Sequence, residues 1–148
     1  MKYYTPKITE FHVCFECEFK SYDNDGKGNF IERWDKRIIG LHTFQESSYE
    51  QITYNSNWRV KYLDKQDIEE VLKVKQKGKS QKELKFILNK DKILQYEFNY
   101  YPESNKLEIL LCSIIKKPYD DSDDTIFCGK IKNKNEFKKL LTHLEIVI

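Results

Sequence analysis

The sequence predicts an α+β fold, an antiparallel sheet of about six or seven strands packed by two helices, in a single domain over residues 1–148. Three observations carry that expectation. Apolar and polar residues alternate at the strand period in several separate stretches. Two other stretches place helix-capping residues before an apolar stripe at helical spacing. The length of 148 residues, 14% of them aromatic, suffices for one core and not for two independent ones.

The first strand is expected where Phe11, Val13, Phe15, Cys17 and Phe19 alternate with His12, Cys14, Glu16, Glu18 and Lys20. Asp23-Asn24-Asp25-Gly26-Lys27-Gly28-Asn29 supplies turn residues, and Phe30, Ile31 and Trp34 favour a strand, so a β-hairpin follows. From 37 to 57 the pattern weakens to a short strand near 41–44 and a polar loop over 46–57. Residues 58–63 alternate again. Asp64 then stands at a helix N-cap with Asp67 three residues on, where a carboxylate complements the helix dipole. Ile68, Val71 and Leu72 form the stripe of this short helix, and the Lys-rich stretch over 73–79, with Gly78, ends it.

A strand-rich region follows, with Leu84, Phe86 and Leu88, then Leu94, Tyr96, Phe98 and Tyr100, then 107–115, then 125–131. Short polar links between them read as an antiparallel meander. The chain closes on Asn133-Lys134-Asn135-Glu136, which resembles a capping box, with Phe137, Leu140, Leu141 and Leu144 at helical spacing.

Composition excludes several classes. No apolar run approaches the roughly 18 residues of a membrane span, and the first residues lack the apolar core of a signal peptide. A soluble, cytoplasmic protein is expected. Lysines number 23 and arginines 3, so the positive charge sits on flexible point charges poorly suited to bidentate recognition. The four cysteines, Cys14, Cys17, Cys112 and Cys128, are expected as free thiols, with Cys112 and Cys128 as small buried hydrophobes.

Catalytic and metal signatures fail one by one. Residues 23–30 match the start of a calcium-binding EF-hand loop, but Lys27 stands at its fifth position and Trp34 where the bidentate Glu belongs. The Cys14/Cys17 pair lies three residues apart in an alternating strand, which sends the thiols to opposite faces. The histidines His12, His42 and His143 are scattered, and no nucleophile elbow, zinc-protease or phosphate-loop motif is present. Glu16, Glu18, Glu32, Asp120, Asp121, Asp123 and Asp124 could hold magnesium in a metal-dependent nuclease, but paired acids on a wet strand face are ordinary solubilising residues. No enzyme, cofactor or metal site is expected.

Charge placement is the strongest unusual feature. Residues 59–92 hold 11 basic against 6 acidic residues within a chain of net charge +2. Lys73, Lys75, Lys77 and Lys79 alternate there and Lys82, Lys85, Lys90 and Lys92 follow. An extended 73–79 would form a row spaced about 6.6 to 6.8 Å, able to follow a nucleic-acid backbone. The plainer alternative is an exposed Lys-rich loop. The opposite pole, Asp120, Asp121, Asp123 and Asp124, suits a charge-complementary protein partner.

Tyr4-Thr5-Pro6-Lys7-Ile8 leading into Glu10-Phe11-His12-Val13, then Arg59-Val60-Lys61-Tyr62-Leu63-Asp64 with Asp67-Ile68-Glu69, then Gly129-Lys130-Ile131-Lys132-Asn133-Lys134 with Glu136, Lys138, Lys139 and Leu140, resemble a family of small phage- and prophage-encoded proteins. The match touches both ends and the middle. That family's pattern places Gly after Val13 and Tyr after Glu16, where this chain has Cys14 and Cys17. The resemblance transfers no catalytic residue. It implies a non-catalytic binding protein in a host bacterium, an anti-CRISPR-like inhibitor of host defence. Its partner would be an RNA-guided nuclease such as a type VI effector ribonucleoprotein, met through Asp120 to Asp124, or the guide RNA, met through Lys73 to Lys92.

Overall fold

Most strands form at alternating segments, and the helices form at the capped ones. The structure is a computed structural model and describes residues 2–7, 10, 15–40, 57–114 and 123–148. The chain divides into two compact units, residues 1–62 and 63–148.

In the first unit, β1 (Tyr3–Tyr4), β4 (Trp58–Lys61), β2 (Glu16–Asn24) and β3 (Phe30–Ile38) form an antiparallel sheet in that order. Its core is Phe15, Cys17, Ile39, Trp58 and Val60, with Tyr4 and Phe19 packed against them. On the other face the Arg59 guanidinium lies 4.0 Å from the ring centres of both Tyr3 and Trp34 and donates to Glu18 at 2.7 Å. The expected β2–β3 hairpin is present. Its turn is built by the Asp25 carboxylate, which accepts from the backbone N–H of Lys27 and Asn29 and from the Asn29 amide. Those bonds, the Asn29 amide foremost, lower the Asp25 pKa, so its support for the turn holds at neutral pH and is lost as pH falls through the depressed value.

The second unit carries the meander β5 (Leu84–Asn89), β6 (Leu94–Tyr101), β7 (Lys106–Ser113) and β8 (Asp124–Lys130), paired in sequence order. The two helices among the described residues are α1 (Lys65–Leu72) and α2 (Lys134–His143). Asp64 and Asp67 close a reciprocal capping box on α1. At α2, Asn133 accepts from the Glu136 N–H as expected, but the Glu136 carboxylate reaches the N–H of Lys132 instead of the cap residue. Ile68, Leu72, Phe137 and Leu141 pack with Phe86, Phe98, Tyr100, Leu107 and Ile109 in one core. Lys134 ties α2 to Glu70 of α1 at 2.6 Å.

The α+β class, the antiparallel pairing and the two helices are as expected; the single sheet of six or seven strands is not. Eight described strands form two sheets of four. Alternation marks which face of a strand is buried and carries no information about which strands share a ladder. The expected short strand near 41–44, the loop over 46–56 and residues 11–14 with His12 and Cys14 lie outside the described residues.

Cys17 and Cys112 are buried, but Cys128 is exposed, contrary to expectation. It pairs with Glu108 on the sheet face opposite the core. Burial pushes the Cys17 thiol up to about 12. Reaction with a thiol reagent in native buffer therefore loses a fast phase in Cys128→Ser and keeps it in Cys17→Ser and Cys112→Ser. A fast phase unchanged in Cys128→Ser would contradict this placement.

Candidate nucleic-acid interface

The β5–β8 sheet has two faces. Leu84, Phe86, Phe98, Tyr100, Leu107 and Ile109 point to the core and the helices. The register places Lys85, Asn99, Glu108 and Cys128 in one row across the other face, with Tyr101, Lys106 and Lys130 in the next. The segment after α1 adds to the first row, because Lys77 forms an antiparallel bridge with Lys85, its N–H donating to the Lys85 carbonyl at 2.7 Å.

Two pairs of lysines thus stand directly opposite one another on one face, Lys77 with Lys85 and Lys106 with Lys130. Like charges in cross-strand positions oppose folding, so each pair calls for compensation. Lys85 finds it in Glu97, at 2.5 Å. Lys77, Lys106 and Lys130 form no ion pair with a described residue. The Lys106 ammonium lies 5.6 Å from the Tyr101 ring centre. The Tyr101 hydroxyl donates to Glu83 at 3.0 Å, and partial burial followed by that bond raises its pKa, so it stays protonated at neutral pH. At the centre of the face, Asn99 is buried and donates to Glu97, while its Oδ1 has no hydrogen-bond partner.

The sequence-predicted lysine row is broken up. Lys73 is the C-cap of α1, in the left-handed conformation at φ 55. Lys75 is ion-paired with Glu69 at 3.0 Å, and the same carboxylate accepts from the Gln76 N–H, folding the strap back on the helix. Gly78, at φ 82, turns the chain between Lys77 and Lys79. A straight ladder therefore does not form. Lys79 and Lys82 are exposed in the bend before β5, Lys90 lies 5.7 Å from the Tyr96 ring centre, and Lys92 is exposed in the β5–β6 turn. Of the predicted eight, Lys77 and Lys85 stand together at the β5 side of the outer face. Lys106, Lys130 and Tyr101 were missed.

Of the acidic pole, Asp123 and Asp124 are exposed at the start of β8, and Asp120 and Asp121 lie outside the described residues. Among the described residues no group of three or more His, Cys, Asp or Glu side chains is placed to hold a metal ion. None of the described helices is long and apolar enough to cross a membrane. No family model, no curated protein and no solved structure matches the chain.

Proposed function

We propose that the chain is a non-catalytic nucleic-acid-binding protein that holds single-stranded RNA against the outer face of β5–β8. The observation that carries this reading is the pair of opposed lysines at each side of that face, Lys77/Lys85 and Lys106/Lys130, with Tyr101 beside Lys106. A phosphate backbone relieves like-charge repulsion that the fold itself leaves partly uncompensated. An aromatic ring among lysines is the arrangement that stacks a base while cations follow the backbone. Lysine in place of arginine favours phosphate contacts over base readout, so little sequence preference is expected.

The phage resemblance supplies the setting. In the host cytoplasm such a protein acts as an inhibitor of an RNA-guided defence nuclease, a type VI effector among them, by occupying its guide or target RNA. In this reading Asp123 and Asp124, exposed at the start of β8, meet a basic protein surface.

Fluorescence-anisotropy titration of a labelled single-stranded RNA over a salt series tests the reading. Four lysines on the backbone give a slope of log affinity on log salt of about −3. Absence of binding at low salt would overturn it.

A further inference from the structure

β3 is the last strand in the order β1-β4-β2-β3, so among the described residues no strand lies beside its outer edge. The ladder phase fixes what that edge offers. Bonds from the Ile39 N–H to Phe15 and from the Asp25 N–H to Asn29 bracket the β2–β3 pairing, so odd-numbered β3 residues bond inward. The Lys20 N–H on β2 points the other way, to Asn57, in keeping with that phase. The backbone N–H and C=O of Phe30, Glu32, Trp34, Lys36 and Ile38 therefore point outward.

This edge carries charged side chains, but neither shortness nor proline guards it. It is nine residues long, contains no proline, and exposes Phe30 at 76%, Ile31 at 55% and Ile38 at 69%. Such an edge is a template for another strand. Its sequence, Phe-Ile-Glu-Arg-Trp-Asp-Lys-Arg-Ile, is complementary to itself when reversed about Trp34. Glu32 then faces Lys36, Arg33 faces Asp35, Phe30 faces Ile38, and Trp34 faces its own copy. In this register the outward-bonding residues also meet each other. Centring one residue earlier sets Arg33 against Arg33; one residue later sets Asp35 against Asp35 and Arg33 against Arg37.

We propose that two copies of this chain pair through the β3 edges, antiparallel about a two-fold axis at Trp34, so that the four-stranded sheet ending in β3 joins its counterpart in the second copy as one sheet of eight strands. The occupant of the edge is a second copy because the charge pattern suits its own reversal. Lys36, which has no ion pair with a described residue, gains Glu32 of the second copy, and the contact occurs twice by symmetry. The proposal stands independently of nucleic-acid binding.

Sedimentation velocity of the full chain over a concentration series tests it. The expected result is a concentration-dependent dimer. Lys36→Glu, at an exposed side chain, sets the new carboxylate against Glu32 twice and is expected to weaken the dimer about tenfold or more. The exchange Glu32→Lys with Lys36→Glu restores opposite charges across the axis and is expected to restore association. A chain that stays monomeric at the highest concentration overturns the proposal and leaves the edge to a strand of another protein. A dimer indifferent to Lys36→Glu overturns it too, since that dimer uses another surface.

Discussion

Replacing Phe98 by Ala is expected to destabilise the second unit by about 3–5 kcal/mol, enough to unfold it at ambient temperature if its stability lies at the lower end of the usual range. Phe98 is fully buried at the centre of β6, under both helices. Its ring stands edge-on to Phe137 of α2, 6.2 Å between centres at 88°. Truncation removes the hydrophobic transfer term, leaves a cavity that a sheet hydrogen-bonded on both sides of β6 is poorly able to close, and deletes the aromatic pair. Urea unfolding followed by circular dichroism measures the loss. A change below about 1 kcal/mol would mean that the core is not organised around this ring.

Tyr101→Ala is expected to weaken binding of single-stranded RNA by about 10- to 100-fold, the usual size of one base stacked on an aromatic ring. Tyr101→Phe is expected to bind nearly as well. The pair of variants separates two roles of the side chain. The ring can stack on a base, whereas the hydroxyl is engaged with Glu83 within the fold. Tyr101 ends β6 and is only partly buried, so both variants keep the core intact. Equal losses in the two variants would assign the effect to the hydroxyl and its Glu83 contact, against the stacking role.

The second unit was legible in the sequence because its strands each bury one face. Leu84, Phe86, Phe98, Tyr100, Leu107 and Ile109 reach the core at period two. Asp64 and Asn133 marked the helix starts because a short acceptor side chain there meets backbone N–H groups that no helical carbonyl reaches. β3 was legible only at its start. Glu32, Arg33, Lys36 and Arg37 are exposed on both faces of the strand, so no alternation is required of them. Cross-strand contacts hold the segment instead, among them Lys20 with Glu32 at 2.8 Å, and Arg33 is further braced by Asp35 at 3.0 Å. β1, at two residues, is too short to carry a period.

The candidate interface was half legible. Charge along the chain marks Lys77 and Lys85, which are close in sequence. It does not mark Lys106 and Lys130, which join them through the sheet register. One signal was available: the turn Pro102-Glu103-Ser104-Asn105 sets Tyr101 opposite Lys106 in any hairpin it closes. The straight lysine row failed for a local reason, since Lys73 caps a helix and Gly78 turns the chain.

Binding of a phosphate backbone by the outer face of β5–β8, as proposed, makes RNA affinity depend on salt through the lysines of that face. The combined variant Lys77→Gln, Lys85→Gln, Lys106→Gln and Lys130→Gln is expected to move the slope from about −3 towards zero, while Lys27→Gln, in the first unit's hairpin turn, leaves it unchanged. A slope that stays near −3 in the combined variant would place the bound RNA elsewhere and contradict the assignment of this face.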